Sequence, residues 1–119
     1  MYHRIKVSGI YKITHKVTGE YYVGQSREIL ERWSSHYNDL KMNKHSSPKF
    51  QELFNRSSMT DWTFEIIKVI SKTEIRAKTG LKGKPLEACI RKILLSEEKK
   101  CMNELSITYS LNKINKHFQ

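Results

Sequence analysis

The sequence predicts an α+β domain, a small three-stranded antiparallel sheet flanked by helices in the order β-β-α-α-β-α. Three observations carry this. Two short strand-like runs are joined by a turn, two capped stretches repeat their apolar residues at helical spacing, and one run of β-branched and aromatic residues follows them.

Ser8 to Thr14 reads as the first strand, with Ile10 and Ile13 beside Tyr11. Thr18-Gly19-Glu20 is a turn signal, and Tyr21-Tyr22-Val23 returns as the second strand of a hairpin. Ser26 is placed to cap a helix reaching about Met42, with Ile29, Trp33, Tyr37 and Leu40 facing the core. Ser47-Pro48 opens a second helix, because proline suits the first helical position; Phe50, Leu53 and Phe54 form its apolar side. Trp62 to Ile70 is the strongest strand by residue type. Lys72 to Lys84 is basic, with Gly80 and Gly83 making its end flexible. Pro85 then opens a third helix, striped by Leu86, Ile90, Ile93 and Leu94. Trp33, Phe54, Phe64 and Ile90 are expected in the core. The expected boundary puts one domain at residues 1–104 and a polar extension at 105–119, packed on it or trailing from it.

The chain has 119 residues, enough for one core, and no apolar run approaches a membrane span. The first residues lack the apolar stretch of a secretory signal. Cys89 and Cys101 show no CxxC pairing and read as reduced thiols, which suits a cytoplasmic protein. The formal net charge of +10 suits a polyanionic partner. Charge alone does not separate a solvated basic surface, ribosomal RNA binding and DNA chemistry.

Some residues could do chemistry. Tyr11 and Tyr22 lie on neighbouring strands and converge only if both point to one face; by type alone they could equally pack a sheet. Arg32 and His36 are four apart and share a helical face. Arg32 offers a donor fork that fits phosphate oxygens, and His36 could take a proton or orient a water. Glu87 lies just inside a helix start; its carboxylate suits a hard divalent cation, though the helix dipole favours an acid there as well.

Gly9-Ile10-Tyr11 followed ten residues later by Tyr22-Val23-Gly24 resembles the two-part signature of the GIY-YIG nuclease superfamily. Arg32-Trp33 with His36, His45-Ser46-Ser47, Glu87 and Asn103 extend the resemblance over residues 8–104. It looks most like the nuclease domains of phage homing endonucleases, with Val23 in place of isoleucine a mild departure. Residues around Gly80 to Pro85 read as extra, which shifts the spacing to Glu87. Glu97 and Glu98 fall too near Asn103 to fit that spacing.

The resemblance implies a metal-dependent endonuclease that hydrolyses phosphodiester bonds in double-stranded DNA. One Mg²⁺ or Mn²⁺ per active site would be held by Glu87. Tyr11, Tyr22, Arg32, His36, His45, Glu87 and Asn103 would form the site, with Tyr11 the first choice as base and His36 the second. Lys78, Lys82 and Lys84 would grip the DNA backbone. Sixteen residues follow Asn103, so specificity is expected from the nuclease itself, a homodimer or a separate DNA-targeting partner. A free-standing phage or mobile-element enzyme in a bacterial host is the leading expectation. A compact restriction or structure-selective repair nuclease, and a catalytically silent DNA-binding module of the same fold, are the alternatives.

Overall fold

The computed structural model describes residues 7–105 and 109–112. Its elements are β1 (Gly9–His15), β2 (Tyr21–Ser26), α1 (Ile29–Lys41), α2 (Pro48–Asn55), β3 (Trp62–Val69), α3 (Lys72–Thr79) and α4 (Gly83–Glu104), with a 3-10 turn at Met59–Asp61. The strands form one sheet of order β2-β1-β3, and β1 is antiparallel to both neighbours. The expected order is present, with α3 as an additional helix in the basic stretch. Its signals are local. The Ser71 hydroxyl accepts the N–H of Glu74 at one end, and Gly80 closes the other in the left-handed region, at φ 72°.

Ser47 caps α2, accepting the N–H of Phe50, with Pro48 first in the helix. Ser26 ends β2 rather than capping α1; its hydroxyl accepts from Glu28 N–H, and α1 starts at Ile29.

The sheet lies between two apolar layers. Tyr11 and Ile13 pack with Ile29, Leu40, Phe50, Leu53, Trp62 and Leu111 on the α1 and α2 side. Ile10, Tyr21 and Val23 pack with Ile70, Leu86, Ile90 and Leu94 on the α4 side. Ile90 is fully buried as expected, and Trp33 and Phe54 are half-buried. Phe64 is 39% exposed because β3 is an outer strand. Helix α1 buries Ile29, His36 and Leu40 and leaves Tyr37 exposed. A histidine takes the inward position expected of Tyr37, because both its ring nitrogens find hydrogen-bond partners inside.

Two close approaches explain the motif glycines. A Cβ on Gly9 would stand 2.0 Å from the carbonyl oxygen of Lys68 on β3. A Cβ on Gly24 would stand 2.3 Å from the hydroxyl of Tyr11. One glycine lets the outer strand pair, and the other leaves room for a phenol.

Ser110 bridges to Tyr21 in parallel, Leu111 is buried, and the Asn112 side chain pairs with both the N–H and the carbonyl of Val23, at 2.9 and 2.6 Å. This short segment covers part of the β2 edge. Among the described residues, no helix is long and apolar enough to cross a membrane.

Candidate active site

The hairpin register decides whether the two tyrosines can meet. Tyr11 lies opposite Gly24 and Tyr22 opposite Ile13, so both phenols share one face as diagonal neighbours. Their rings stack at 6.5 Å between centroids. Arg32 is half-buried on α1, and its positive charge favours the ionised form of both phenols. Burial raises the pKa of both tyrosines, the neighbouring Glu98 carboxylate raises them further, and Arg32 pulls them down.

Behind Tyr11 runs a chain of hydrogen bonds. Its hydroxyl meets His36 Nε2 at 2.6 Å, His36 Nδ1 meets His45 Nε2 at 2.7 Å, and the backbone N–H of Ser47 donates to His45 Nδ1 at 2.9 Å. Both histidines are held neutral. Burial, with the nearby Arg32 and His45, lowers the pKa of His36 to about 3, and burial is also the main cause that lowers that of His45. A neutral imidazole has one donor and one acceptor nitrogen. The Ser47 amide makes His45 Nδ1 the acceptor, so His45 Nε2 donates to His36 Nδ1. His36 Nε2 is then the donor to the Tyr11 oxygen. One backbone N–H thus fixes the direction of the whole chain, and the Tyr11 proton is left to point away from His36.

The remaining expected residues fall as follows. Glu87, on the first part of α4, is held by Arg27 at 2.9 and 3.2 Å and by Lys72 at 3.1 Å. Those hydrogen bonds lower its pKa. The carboxylate whose charge reaches Tyr11 and Tyr22 is Glu98. Glu98 lies eleven residues after Glu87 on the same helix, nearly the same side but roughly 16 Å further along the axis. Asn103 is exposed within α4, about 140° round the helix from Glu98. The spacing to Asn103, which counted against Glu98 in the sequence, therefore carries no constraint. Lys78 lies in the last turn of α3, Lys82 just before α4 and Lys84 in its first turn, all exposed.

Glu98 continues the buried stripe of Leu86, Ile90 and Leu94 at four-residue spacing. An acid on an apolar stripe was the signal that could have singled it out. Asn112 carries no comparable signal in the sequence, since it acts through the backbone of Val23, distant along the chain. The Ser47 amide acts on the His45 ring two residues before it, but a backbone N–H is a group that almost every residue carries. Among the described residues no cluster of three or more His, Cys, Asp and Glu side chains forms a metal site. Glu98 fits a single hard cation on other grounds: it is half-buried, and burial raises its pKa, a cost that a bound cation would offset.

The sequence profile of the GIY-YIG catalytic domain matches residues 7–81. This span includes both halves of the signature, Arg32, His36 and His45, and stops before α4 and its glutamates. A comparison with curated protein sequences returns no match. Two solved structures share the fold. The catalytic domain of the homing endonuclease I-TevI is 25% identical, with a TM-score of 0.69 over 91% of this chain and 99% of that one. An alanine variant of the same intron endonuclease domain is 24% identical, with a TM-score of 0.69 over 91% and 94%. With the signature residues joined on one face of the expected sheet, the chain belongs to the GIY-YIG family and is built as its nuclease catalytic domain.

Proposed function

We propose that this protein is a divalent-metal-dependent endonuclease acting on double-stranded DNA, with Glu98 rather than Glu87 as the metal ligand. The observation that carries the reading is the shared face of Tyr11 and Tyr22 with the oriented chain through His36 and His45 behind it, and the charges of Arg32 and Glu98 act on both phenols. Phosphodiester hydrolysis requires these capabilities: a proton acceptor for water, a cation for the phosphate charge and a carboxylate for a hard metal ion.

Glu98 would hold the divalent ion, which when bound would supply charge neutralisation at the scissile phosphate and help for the leaving oxygen. Arg32 donates to a non-bridging oxygen and offsets the charge that builds there. Tyr11 is the base. After its own proton has left to solvent, its phenolate oxygen accepts a proton from the attacking water. His36 Nε2–H and Arg32 hold the negative charge on that oxygen meanwhile. His36 is a donor in this scheme, which removes it as the base and leaves it orienting and stabilising Tyr11. Tyr22 and His45 position the chain. Glu87 and Asn103 have no part in the chemistry. Lys78, Lys82 and Lys84 contact backbone phosphates away from the cut; Lys84 is fourteen residues before Glu98 on the helix, about 21 Å by axial rise, or six base pairs.

The likeness to a homing endonuclease domain supports a phage or mobile-element enzyme over a restriction or repair nuclease. The test is incubation of plasmid DNA with Mg²⁺ or Mn²⁺, and with chelator, using wild type, Glu98→Gln and Glu87→Gln. Cleavage that needs metal and Glu98 but not Glu87 is expected. Full cleavage in excess chelator, or by Glu98→Gln, would refute the assignment.

A further inference from the structure

Away from the tyrosines, the chain carries a second polar site with the chemistry of phosphate recognition. A groove of about 670 Å³ runs between the start of β1, the end of β3 and the first turns of α1, α3 and α4. Arg27, Lys72, Glu87, Ser8, Ser71 and Thr73 are among its lining residues. Arg27 grips the Glu87 carboxylate with two nitrogens, Nε to one oxygen at 2.9 Å and Nη2 to the other at 3.2 Å. Lys72 Nζ closes on the second oxygen at 3.1 Å. A planar fork plus an ammonium on two oxygens is also how a phosphodiester is held. Two further features suit an anion. The N-terminal end of α3 opens on the groove through Ser71, Lys72 and Thr73. Ser8 is only 8% exposed, and its buried hydroxyl has no hydrogen-bond partner among the described residues.

The ion bridge is a poor candidate for a purely structural device. Arg27, Glu87 and Lys72 side chains are 37%, 39% and 53% exposed, and bridges open to water to that extent contribute little to stability. Glu28 also lines the groove, so its two cations face two carboxylates, of which Glu87 is the one they grip.

We propose that Arg27 and Lys72 form a DNA-backbone phosphate site separate from the cleavage site, and that the Glu87 carboxylate occupies it until a phosphate takes its place. The inference rests on the DNA nuclease reading above. Glu87 precedes Glu98 by eleven residues of helix, roughly 16 Å, so the gripped phosphate lies about five base pairs from the cut. Glu87 thereby lowers affinity for stray anions, and a duplex long enough to reach both sites displaces it.

The experiment measures binding of a fluorescent mixed-sequence duplex in chelator across a salt series, with metal-dependent plasmid cleavage by wild type run alongside. Arg27→Gln is expected to weaken binding at low salt by roughly tenfold and to flatten the salt slope by about 0.9. Glu87→Gln is expected to act in the opposite direction and tighten binding. Its gain should vanish in the Arg27→Gln background, while the remote acid change Glu52→Gln, as a control for net charge, should give a smaller gain in both backgrounds. A scaffold bridge predicts otherwise. Arg27→Gln and Glu87→Gln would both lower Tm and both weaken binding or leave it unchanged, and that result overturns the proposal. So does an unaltered salt slope in Arg27→Gln when wild type cleaves and binds. Wild type that neither cleaves nor binds duplex would overturn the nuclease reading, and this site with it.

Discussion

The two ends of α4 present glutamates to opposite kinds of environment. At one end Glu87 meets Arg27 and Lys72 in a groove open to water, and its charge is balanced by partly exposed side chains. Toward the other, Glu98 is half-buried, its charge acts on the two phenols, and burial raises its pKa. Behind those phenols the histidines are neutral and their bonds run in one direction. An exposed ion cluster can exchange partners at little cost, which suits reversible binding. A buried chain of polar groups has a set protonation state and orientation, which suits chemistry that must not pause to reorganise.

The sharpest way to break this contrast is to neutralise each glutamate in turn. Glu98→Gln is expected to lower metal-dependent kcat by about 10²-fold or more, and Arg32→Ala by a similar factor. Glu87→Gln should cut at close to the wild-type rate under saturating DNA. Equal losses for the two glutamates would mean that the groove and the tyrosine site are one machine.

Gly24→Ala tests whether the buried end depends on exact placement. The added methyl would displace the Tyr11 hydroxyl, which stands 2.3 Å from that Cβ position. A shift of about 1 Å in a catalytic group can cost 10²-fold in rate. Cleavage kinetics should fall by about that factor, while the salt slope of duplex binding stays unchanged because the groove is untouched. Wild-type kinetics would show that the phenol has no fixed part.

Acid should expose the buried end through stability. His36 has a folded pKa of about 3, below the usual 6.5 of an unfolded histidine. The unfolded chain therefore binds a proton between those values and the folded one does not. The stabilisation is complete above about pH 6.5 and is lost progressively as pH falls toward 3. At pH 5 the loss from His36 is about 2 kcal/mol, with His45 shifted in the same direction. Thermal melts from pH 7.5 to 5 should show the decline, and His36→Gln should flatten it. A wild-type profile no steeper than that of the variant would contradict a neutral, donor-only His36.

The smallest effect concerns the exposed end. Arg27→Gln should leave Tm nearly unchanged at moderate salt, since the bridge it breaks faces water. A large drop would make the Arg27–Glu87 pair a structural clamp.

Much of this protein was legible in the residue order. Ser47-Pro48 marks a helix start by local hydrogen bonding and backbone geometry, and the strand runs follow from residue type; α3, between Ser71 and Gly80, lies in a stretch that the sequence showed only as basic and flexible. Spacing on a helix related Arg32 to His36, and pairing across a hairpin let Tyr11 and Tyr22 meet, by short-range rules; joining these four with His45 into one site came from the family resemblance. Tertiary structure alone decided the rest. Glu87 and Glu98 lie on nearly the same side of one helix, so periodicity does not distinguish them; which one reaches the phenols depends on where three turns of α4 come to rest against the sheet. Likewise, His36 turns inward where Tyr37 was expected because its two nitrogens meet Tyr11 and His45. The direction of that chain is set by the amide of Ser47, a group every residue but proline possesses, and so it is written only in the fold.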